Sequence, residues 1–375
     1  MIIYFTLCLF VFFGWFFSNL TQSKMIKNLI LLFLCLSFII IMGFRNNITS
    51  DYSNYEILYY RINEYVNANG LLSVFSRSFF SEYLEPGYAL LNIFVKYIFN
   101  DVKWLFVLSA IIIVFPIFYF AKNKNSPYLF IFLYISLGTY FEGFNIMRQM
   151  IAASILLLSF NYVKSFKTFR VIFFTFLASL FHLSSIVFIA YYLCFYIFNK
   201  TKKLDYSFKK IALIVLMGVI VFAISPLTNW YINNFRSGSY SYVQGITSMK
   251  ITNALFPLFI LVITEVIIIL FGGKVWEKKK TVYADSNYTS SENSIYETGM
   301  YLWTALEICI AQIPMITRFA SFLCPYGLVY IDNSFCAIKD KDTRRFLVAS
   351  FVIVLFVYKL IKISGGYLDN YHLMF

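Results

Sequence analysis

Polar residues that could bind a phosphorylated substrate stand at the edges of long apolar runs. The clearest group is Asn145-x-x-Arg148-Gln149, which leads into the apolar run MIAASILLLS. An arginine at the edge of an apolar segment needs a partner, and its planar guanidinium suits phosphate or carboxylate oxygens. The dipole of a helix N-terminus adds to the attraction for an anion. We therefore predict that this segment binds an anionic group.

Further candidates occupy similar positions along the chain. The catalytic candidates are the acids and the histidine at these edges: Asp51, Glu85, Glu142 and His182. The substrate-binding candidates are Arg45, Tyr52, Tyr55, Asn145, Arg148, Gln149 and Arg318. Arginines could hold a pyrophosphate and stabilise its charge as it leaves, while a carboxylate or His182 deprotonates an attacking hydroxyl. The tyrosines could stack against sugar rings.

Each candidate also has a structural interpretation, which the sequence leaves open. Arg45 can extend its head group to the membrane interface, as arginines at helix ends do. The tyrosines from Tyr52 to Tyr59 can form an aromatic belt. Glu85-Pro86-Gly87 can be an ordinary helix start, and His182 can be a buried structural histidine. Glu265 and Glu307 lie within apolar segments and rank below the others as functional candidates.

The elements that must position these residues are membrane helices. The chain is 60% hydrophobic and 13% charged, and apolar runs of about 17–25 residues recur along it. We predict one all-α integral membrane domain over residues 1–375, because backbone polar groups in lipid need internal partners. It would be a polytopic bundle of about 10–12 transmembrane helices with re-entrant or interfacial helices on the outer side. Residues 1–18 are predicted to be a retained first helix.

The charge pattern predicts which loops face the cytoplasm. The net charge is +13, and 20 of the 31 Lys and Arg residues lie in six short connectors: 22–28, 122–125, 164–170, 199–210, 272–280 and 339–345. Basic connectors of this kind are cytoplasmic, so the charge reflects membrane orientation and argues against nucleic-acid binding. The catalytic and substrate-binding candidates then face the extracytoplasmic side, whereas Glu265 and Glu307 lie within the apolar segments.

Several connecting segments have their own predictions. Residues 44–85 are predicted to form an extracytoplasmic loop with interfacial helices, and 273–298 a flexible cytoplasmic loop. The stretch 86–121 must cross the membrane once, so one of its two helices is expected to be re-entrant or interfacial. Residues 169–198 are expected to form a re-entrant or tilted helix pair with His182 near the outer tip. No metal site and no cofactor is expected, because the sequence has no His, Cys or Asp grouping with ligand spacing.

Five short motifs together resemble the EpsG-like branch of the Wzy polymerases, which polymerise bacterial O-antigen and capsule repeat units. The motifs are GFR-x5-DY-x2-Y at 43–55, EPGY at 85–88, N-x-x-RQ at 145–149, FHLSS at 181–185 and TR-F at 317–319. The resemblance implies transfer of a growing glycan from undecaprenyl pyrophosphate onto the next lipid-linked repeat unit, at the outer leaflet of the inner membrane. It also implies that the cavity is lined by Arg45, Asp51, Tyr55, Glu85, Arg148, Gln149, His182 and Arg318.

The expected partners are the undecaprenyl-pyrophosphate-linked oligosaccharide, the lipid bilayer and a chain-length regulator protein. Three other activities stay as alternatives. An O-antigen ligase, or another polyprenyl-phosphate glycosyltransferase, shares the chemistry, but a ligase would carry a larger outer loop than 231–252. A membrane acyltransferase would have its histidine earlier than 182. A flippase needs a polar path through both halves of the bilayer and usually internal repeats.

Overall fold

A computed structural model describes most of the chain. The described residues are 2–46, 50–76, 78–79, 85–200, 206–235, 252–272, 287–309 and 317–363. Every regular element within these ranges is helical, which confirms the predicted all-α fold class. The chain forms two compact units, each of which is described separately below.

The first unit comprises Met1–Asn161, Thr168–Ile186 and Ala349–Phe375. A 3-10 helix, Leu71–Phe75, follows its third α-helix. Its α-helices are α1 (Ile2–Leu20), α2 (Lys24–Gly43), α3 (Ser50–Asn69), α4 (Pro86–Phe99), α5 (Lys103–Ala121), α6 (Pro127–Ser136), α7 (Thr139–Asn145), α8 (Met147–Leu158) and α10 (Thr168–Ser179).

The second unit comprises Tyr162–Lys167 and Val187–Val348. Its helices are α11 (Phe188–Lys200), α12 (Tyr206–Phe235), α13 (Thr252–Ile267) with a π-helical turn Ile268–Gly272, α14 (Asn287–Cys309), α15 (Thr317–Ala320) and α16 (Cys324–Cys336). Among the described elements, the α-helices α9 (Phe160–Lys164) and α17 (Lys341–Ile363) and the 3-10 helix Leu183–Val187 contribute residues to both units.

Three of the described helices, α1, α2 and α5, are long and apolar enough to cross a membrane. Large apolar side chains such as Phe12 and Phe33 point outward from them and are 53% and 65% exposed. Exposed apolar surface of this kind is expected where lipid is the surrounding solvent. The chain is therefore an integral membrane protein, while the number of about 10–12 spans stays a prediction.

Close packing between α2 and α5 organises the core of the first unit. A Cβ at Gly43 would lie 2.9 Å from the Val107 Cα, so the end of α2 approaches α5 as only glycine allows. Phe38 packs edge-to-face against Phe118 and Tyr140, with ring centroids 5.2 Å and 5.0 Å away. These contacts place the end of α2, and Arg45 just beyond it, beside α5 and α7.

The polar segment 273–298 is predicted to be a flexible loop, but its second half is helical. Helix α14 begins at Asn287, and Ile295, Tyr296 and Thr298 are buried within the second unit. Tertiary packing of one face outweighs the weak helical preference of the Ser and Asn residues there. Residues 273–286 lie outside the described part of the chain.

The two stretches whose crossing was ambiguous are both broken helices. Residues 86–121 form α4 and α5, of 14 and 19 residues, and α4 is short for a full span. Residues 169–198 are interrupted after Ser179, and His182 lies in the turn that follows, before a 3-10 helix at Leu183–Val187. The predicted position of His182 between two helices agrees with this course of the chain.

Candidate active site

A buried glutamate joins an arginine and a histidine in the first unit. The Glu85 Oε2 accepts a hydrogen bond from the Arg148 Nη1 at 2.5 Å. The Glu85 Oε1 lies 3.0 Å from the His182 Nδ1. These partners stand 63 and 97 residues from Glu85 in the chain. A buried carboxylate needs charged or hydrogen-bonding partners of this kind, and the three side chains form one connected cluster.

Helix ends supply all three side chains. Glu85 precedes α4 in an extended conformation, and Pro86 begins the helix, where its missing N–H costs no hydrogen bond. Arg148 is the second residue of α8. His182 follows the end of α10, and its N–H donates to the Ala178 carbonyl. Polar side chains at helix ends can meet in this way without entering the apolar middle of a helix.

The cluster exposes its cationic and imidazole groups and covers its carboxylate. Glu85 is 4% exposed, whereas Arg148 and His182 are 25% and 20% exposed. An arriving anion therefore meets the guanidinium before the carboxylate. With Nδ1 directed at the Glu85 carboxylate as a donor, the His182 Nε2 is the ring atom left for proton transfer. The arrangement suits anion binding next to a general base.

Two tyrosines, Tyr88 and Tyr55, pack next to Arg148. Its guanidinium carbon lies 5.8 Å from the Tyr88 ring centroid, and the Tyr88 and Tyr55 rings meet edge-to-face at 6.0 Å. The Tyr55 hydroxyl donates to the Asn145 carbonyl at 3.0 Å. Burial raises the pKa of the Tyr55 phenol, which keeps it protonated as a donor. Through Asn145, Tyr55 fixes the turn that precedes Arg148.

Tyr88 had no role assigned by the sequence, although it belongs to the EPGY motif. It stands three residues after Glu85, a spacing that places two side chains on neighbouring parts of a helix surface. That spacing is the signal that could have identified it. It is 1% exposed, so it contributes to the packing beneath the cluster.

Arg45 turns into the protein in place of facing a substrate or the membrane interface. It is 1% exposed, and its Nη1 and Nη2 donate to the Met42 and Phe144 carbonyls at 2.7 and 3.4 Å. Its guanidinium also lies 4.8 Å from the Phe106 centroid. These contacts tie the end of α2 to α5 and α7. They differ from the predicted substrate contact, because backbone carbonyls of the protein bind Nη1 and Nη2 and the Phe106 and Phe144 rings lie beside the guanidinium.

The predicted sugar-stacking tyrosines also pack inward. Tyr52 is 3% exposed and stacks on Phe106 with centroids 4.3 Å apart, and Tyr55 is 7% exposed. Their ring faces are covered, so in this structure they attach α3 to the helices beneath it. This packing differs from the predicted stacking surface and agrees better with a structural role.

The other predicted residues lie in α3, α7, α8 and α15. Asp51 accepts a hydrogen bond from Asn54 at 3.5 Å in its own helix. Glu142 is half-buried in α7, and Gln149 is 2% exposed beside Arg148 in sequence. Arg318 lies in α15 of the second unit. The catalytic and binding roles of these four residues stay predictions.

Within the described part of the chain, no group of three or more His, Cys, Asp or Glu side chains could hold a metal ion. No curated protein and no solved structure matches the chain. A family model does match, and it covers residues 28–373, nearly the whole sequence. The matched model is that of the EpsG family, and the chain belongs to this family.

Proposed function

We propose that this protein is a membrane glycosyltransferase that transfers a growing glycan from undecaprenyl pyrophosphate onto the next lipid-linked repeat unit. Membership of the EpsG family supports a role in polysaccharide polymerisation in general terms. The observation that carries the specific proposal is the Glu85 carboxylate bound to both Arg148 and His182. This cluster combines an anion-binding group with a proton acceptor, the two functions that such a transfer needs.

In the proposed reaction, Arg148 binds the pyrophosphate of the donor. Its guanidinium has five N–H donors, and the bond to Glu85 uses one of those on Nη1. Tyr55 also interacts with this side chain, and the donors that neither residue uses suit the oxygens of a diphosphate. Negative charge builds up on the pyrophosphate as the bond to the anomeric carbon breaks, and Arg148 stabilises that charge.

His182 is proposed as the general base. The hydroxyl of the acceptor sugar attacks the anomeric carbon of the donor, and its proton passes to the His182 Nε2. The new glycosidic bond forms as the bond to undecaprenyl pyrophosphate breaks, and the proton leaves His182 later. Glu85 acts as a positioning residue here, because its carboxylate lies beneath the two groups it binds and is 4% exposed. This role replaces the direct catalytic role predicted for Glu85.

The site is proposed to face the extracytoplasmic side of the bacterial inner membrane, as the basic connectors predict. The lipid tail of the donor would lie in the surrounding bilayer. A chain-length regulator protein is proposed as a further partner, and no role for a metal or cofactor is proposed.

Replacing Arg148 tests the proposal. We expect Arg148→Ala to reduce elongation by about 10²–10³-fold, the effect of removing a group that stabilises transition-state charge. The measurement is the length distribution of surface polysaccharide in the native host, with insertion checked by immunoblotting of membranes. Arg345→Ala is the matched control, since Arg345 is 78% exposed and pairs with Asp342 in its own helix.

A single repeat unit on the surface of Arg148→Ala cells, with long polysaccharide in the control, is the expected result. Long polysaccharide in both strains would refute the arginine mechanism. Lipid-linked units trapped inside the cells of a deletion strain would indicate a flippase.

A further inference from the structure

We propose that Gly87 is a positioning residue for the reaction, because its missing side chain lets the Leu180 carbonyl cap helix α4 and thereby holds His182 against Glu85. This inference rests on the function proposed above. Gly87 belongs to the EPGY motif, and neither the sequence nor the site chemistry assigned it a role.

The Leu180 carbonyl caps helix α4 from another part of the chain. It accepts hydrogen bonds from the Gly87 N–H at 2.8 Å and the Tyr88 N–H at 3.3 Å. The first N–H groups of a helix have no partner within the helix, and Pro86 has no N–H. One carbonyl from the turn after α10 therefore satisfies two N–H groups of the first turn of α4.

This cap leaves the Glu85 carboxylate available for the site. Glu85 occupies the N-cap position of α4, where a capping side-chain oxygen accepts from the second or third N–H of the helix. Gly87 and Tyr88 are those two positions, and Leu180 already binds them. Glu85 makes no capping hydrogen bond, and its two oxygens bind Arg148 and His182 instead.

Only glycine allows this contact. A Cβ at Gly87 would lie 2.7 Å from the Leu180 oxygen, 2.8 Å from its Cβ and 3.0 Å from its carbonyl carbon. Two of these are backbone atoms, which cannot rotate away as the end of a long side chain can. Any larger residue must therefore displace the turn at Leu180.

Displacing that turn would also move His182, which is two residues further along. The His182 N–H is bonded to the Ala178 carbonyl, and the Ser185 N–H to the His182 carbonyl, so the turn is internally bonded around the imidazole. The released N–H groups of α4 would then compete for the Glu85 carboxylate. The expected consequence is loss of the Glu85–His182 contact, while Arg148 keeps its position on α8.

The test compares Gly87→Ala with Gly218→Ala in the full-length protein. Gly218 is the matched control because it also lies in a helix and a Cβ there would meet no atom within 4 Å. Elongation is measured from surface polysaccharide length in the native host. Binding of inorganic pyrophosphate is measured calorimetrically on each protein in lipid nanodiscs. Hydrogen–deuterium exchange of the peptide containing Gly87 and Tyr88 is a third measurement.

We expect Gly87→Ala to lower elongation by at least about tenfold, a part of the roughly 10²–10⁴-fold that a positioned general base contributes. Pyrophosphate binding should match the Gly218→Ala control, and exchange at positions 87 and 88 should be faster. A loss of elongation without a loss of pyrophosphate binding is what a positioning role predicts. Loss of pyrophosphate binding together with elongation would mean a general structural role, and unchanged elongation would also overturn the inference.

If the proposed function is wrong, a different set of results is expected. The wild-type protein would then bind no pyrophosphate, and Arg148→Ala would still make long polysaccharide. The exchange measurement does not depend on activity. Unchanged exchange in Gly87→Ala would overturn the capping contact itself, whatever reaction the protein catalyses.

Discussion

Two glutamates in this protein each pair with a basic side chain, and they differ in their other partners. In the first unit, Glu85 binds Arg148 and His182. In the second unit, the Glu265 Oε1 accepts from the Tyr301 and Tyr330 hydroxyls at 3.0 and 2.9 Å. The other oxygen of Glu265 pairs with Lys210.

The two clusters differ in which polar atoms the partners of each glutamate keep for a ligand. A phenol has one O–H, and Tyr301 and Tyr330 both direct theirs at Glu265. That cluster joins α12, α13, α14 and α16, and it is suited to holding helices together. An arginine bound through one N–H, and an imidazole bound through Nδ1, keep further polar atoms for a ligand. Lys210 also keeps N–H donors, so the feature that distinguishes the Glu85 site from the Glu265 clamp is the imidazole of His182, whose Nε2 can accept a proton.

The strongest test of this comparison replaces each glutamate by its isosteric amide. We expect Glu85→Gln to lower elongation by about 10²-fold or more, because the neutral amide no longer holds His182 and Arg148 as the carboxylate does. We expect Glu265→Gln to elongate nearly as well as the wild type. Polysaccharide length in the native host is the measurement, with equal amounts of inserted protein. Equal losses in both variants would remove the distinction between site and clamp.

The clamp should show its effect in stability. Lys210→Met leaves the Glu265 carboxylate without its counter-charge, and we expect a loss of about 1–3 kcal/mol in the free energy of unfolding. The larger loss of stability that follows the breaking of a fully buried ion pair is not expected, because the Glu265 and Lys210 side chains are 14% and 19% exposed. Thermal unfolding in detergent measures the change, and elongation at low temperature should stay normal.

The double variant Lys210→Met with Glu265→Gln provides the control for the clamp. Removing both charges should recover part of the stability lost in Lys210→Met, because no unpaired carboxylate remains. Additive losses would show that the two charges do not interact.

The smallest effect is expected at the edge of the site. Tyr55→Phe removes the hydrogen bond to the Asn145 carbonyl and keeps the ring against Tyr88, at a cost of about 1 kcal/mol. Elongation should fall only a few-fold, because Tyr55 acts through Arg148 and the turn before it and touches no reacting atom. A loss of elongation as large as that expected for Glu85→Gln would mean that Tyr55 takes part in the reaction itself.

Much of the site could be identified in the sequence because polar residues in apolar surroundings are costly and therefore conspicuous. Arg148, Glu85 and His182 each stand at the end of an apolar run, and all three were candidates on that ground. The same reasoning also selected Arg45 and Tyr52, which the structure buries against Phe106. Sequence position alone cannot say whether a polar side chain at a helix end points toward a ligand or toward a neighbouring helix.

The sequence by itself determined the helical membrane architecture, since long apolar runs must satisfy their backbone within helices. Only the tertiary structure decided the pairings: Glu85 with residues 63 and 97 positions away, and the Leu180 carbonyl with the first turn of α4. Hydropathy acts on each segment locally, whereas these contacts depend on how closely two backbones approach. At Gly87 that approach is set by one missing Cβ, which no property of the surrounding sequence reveals.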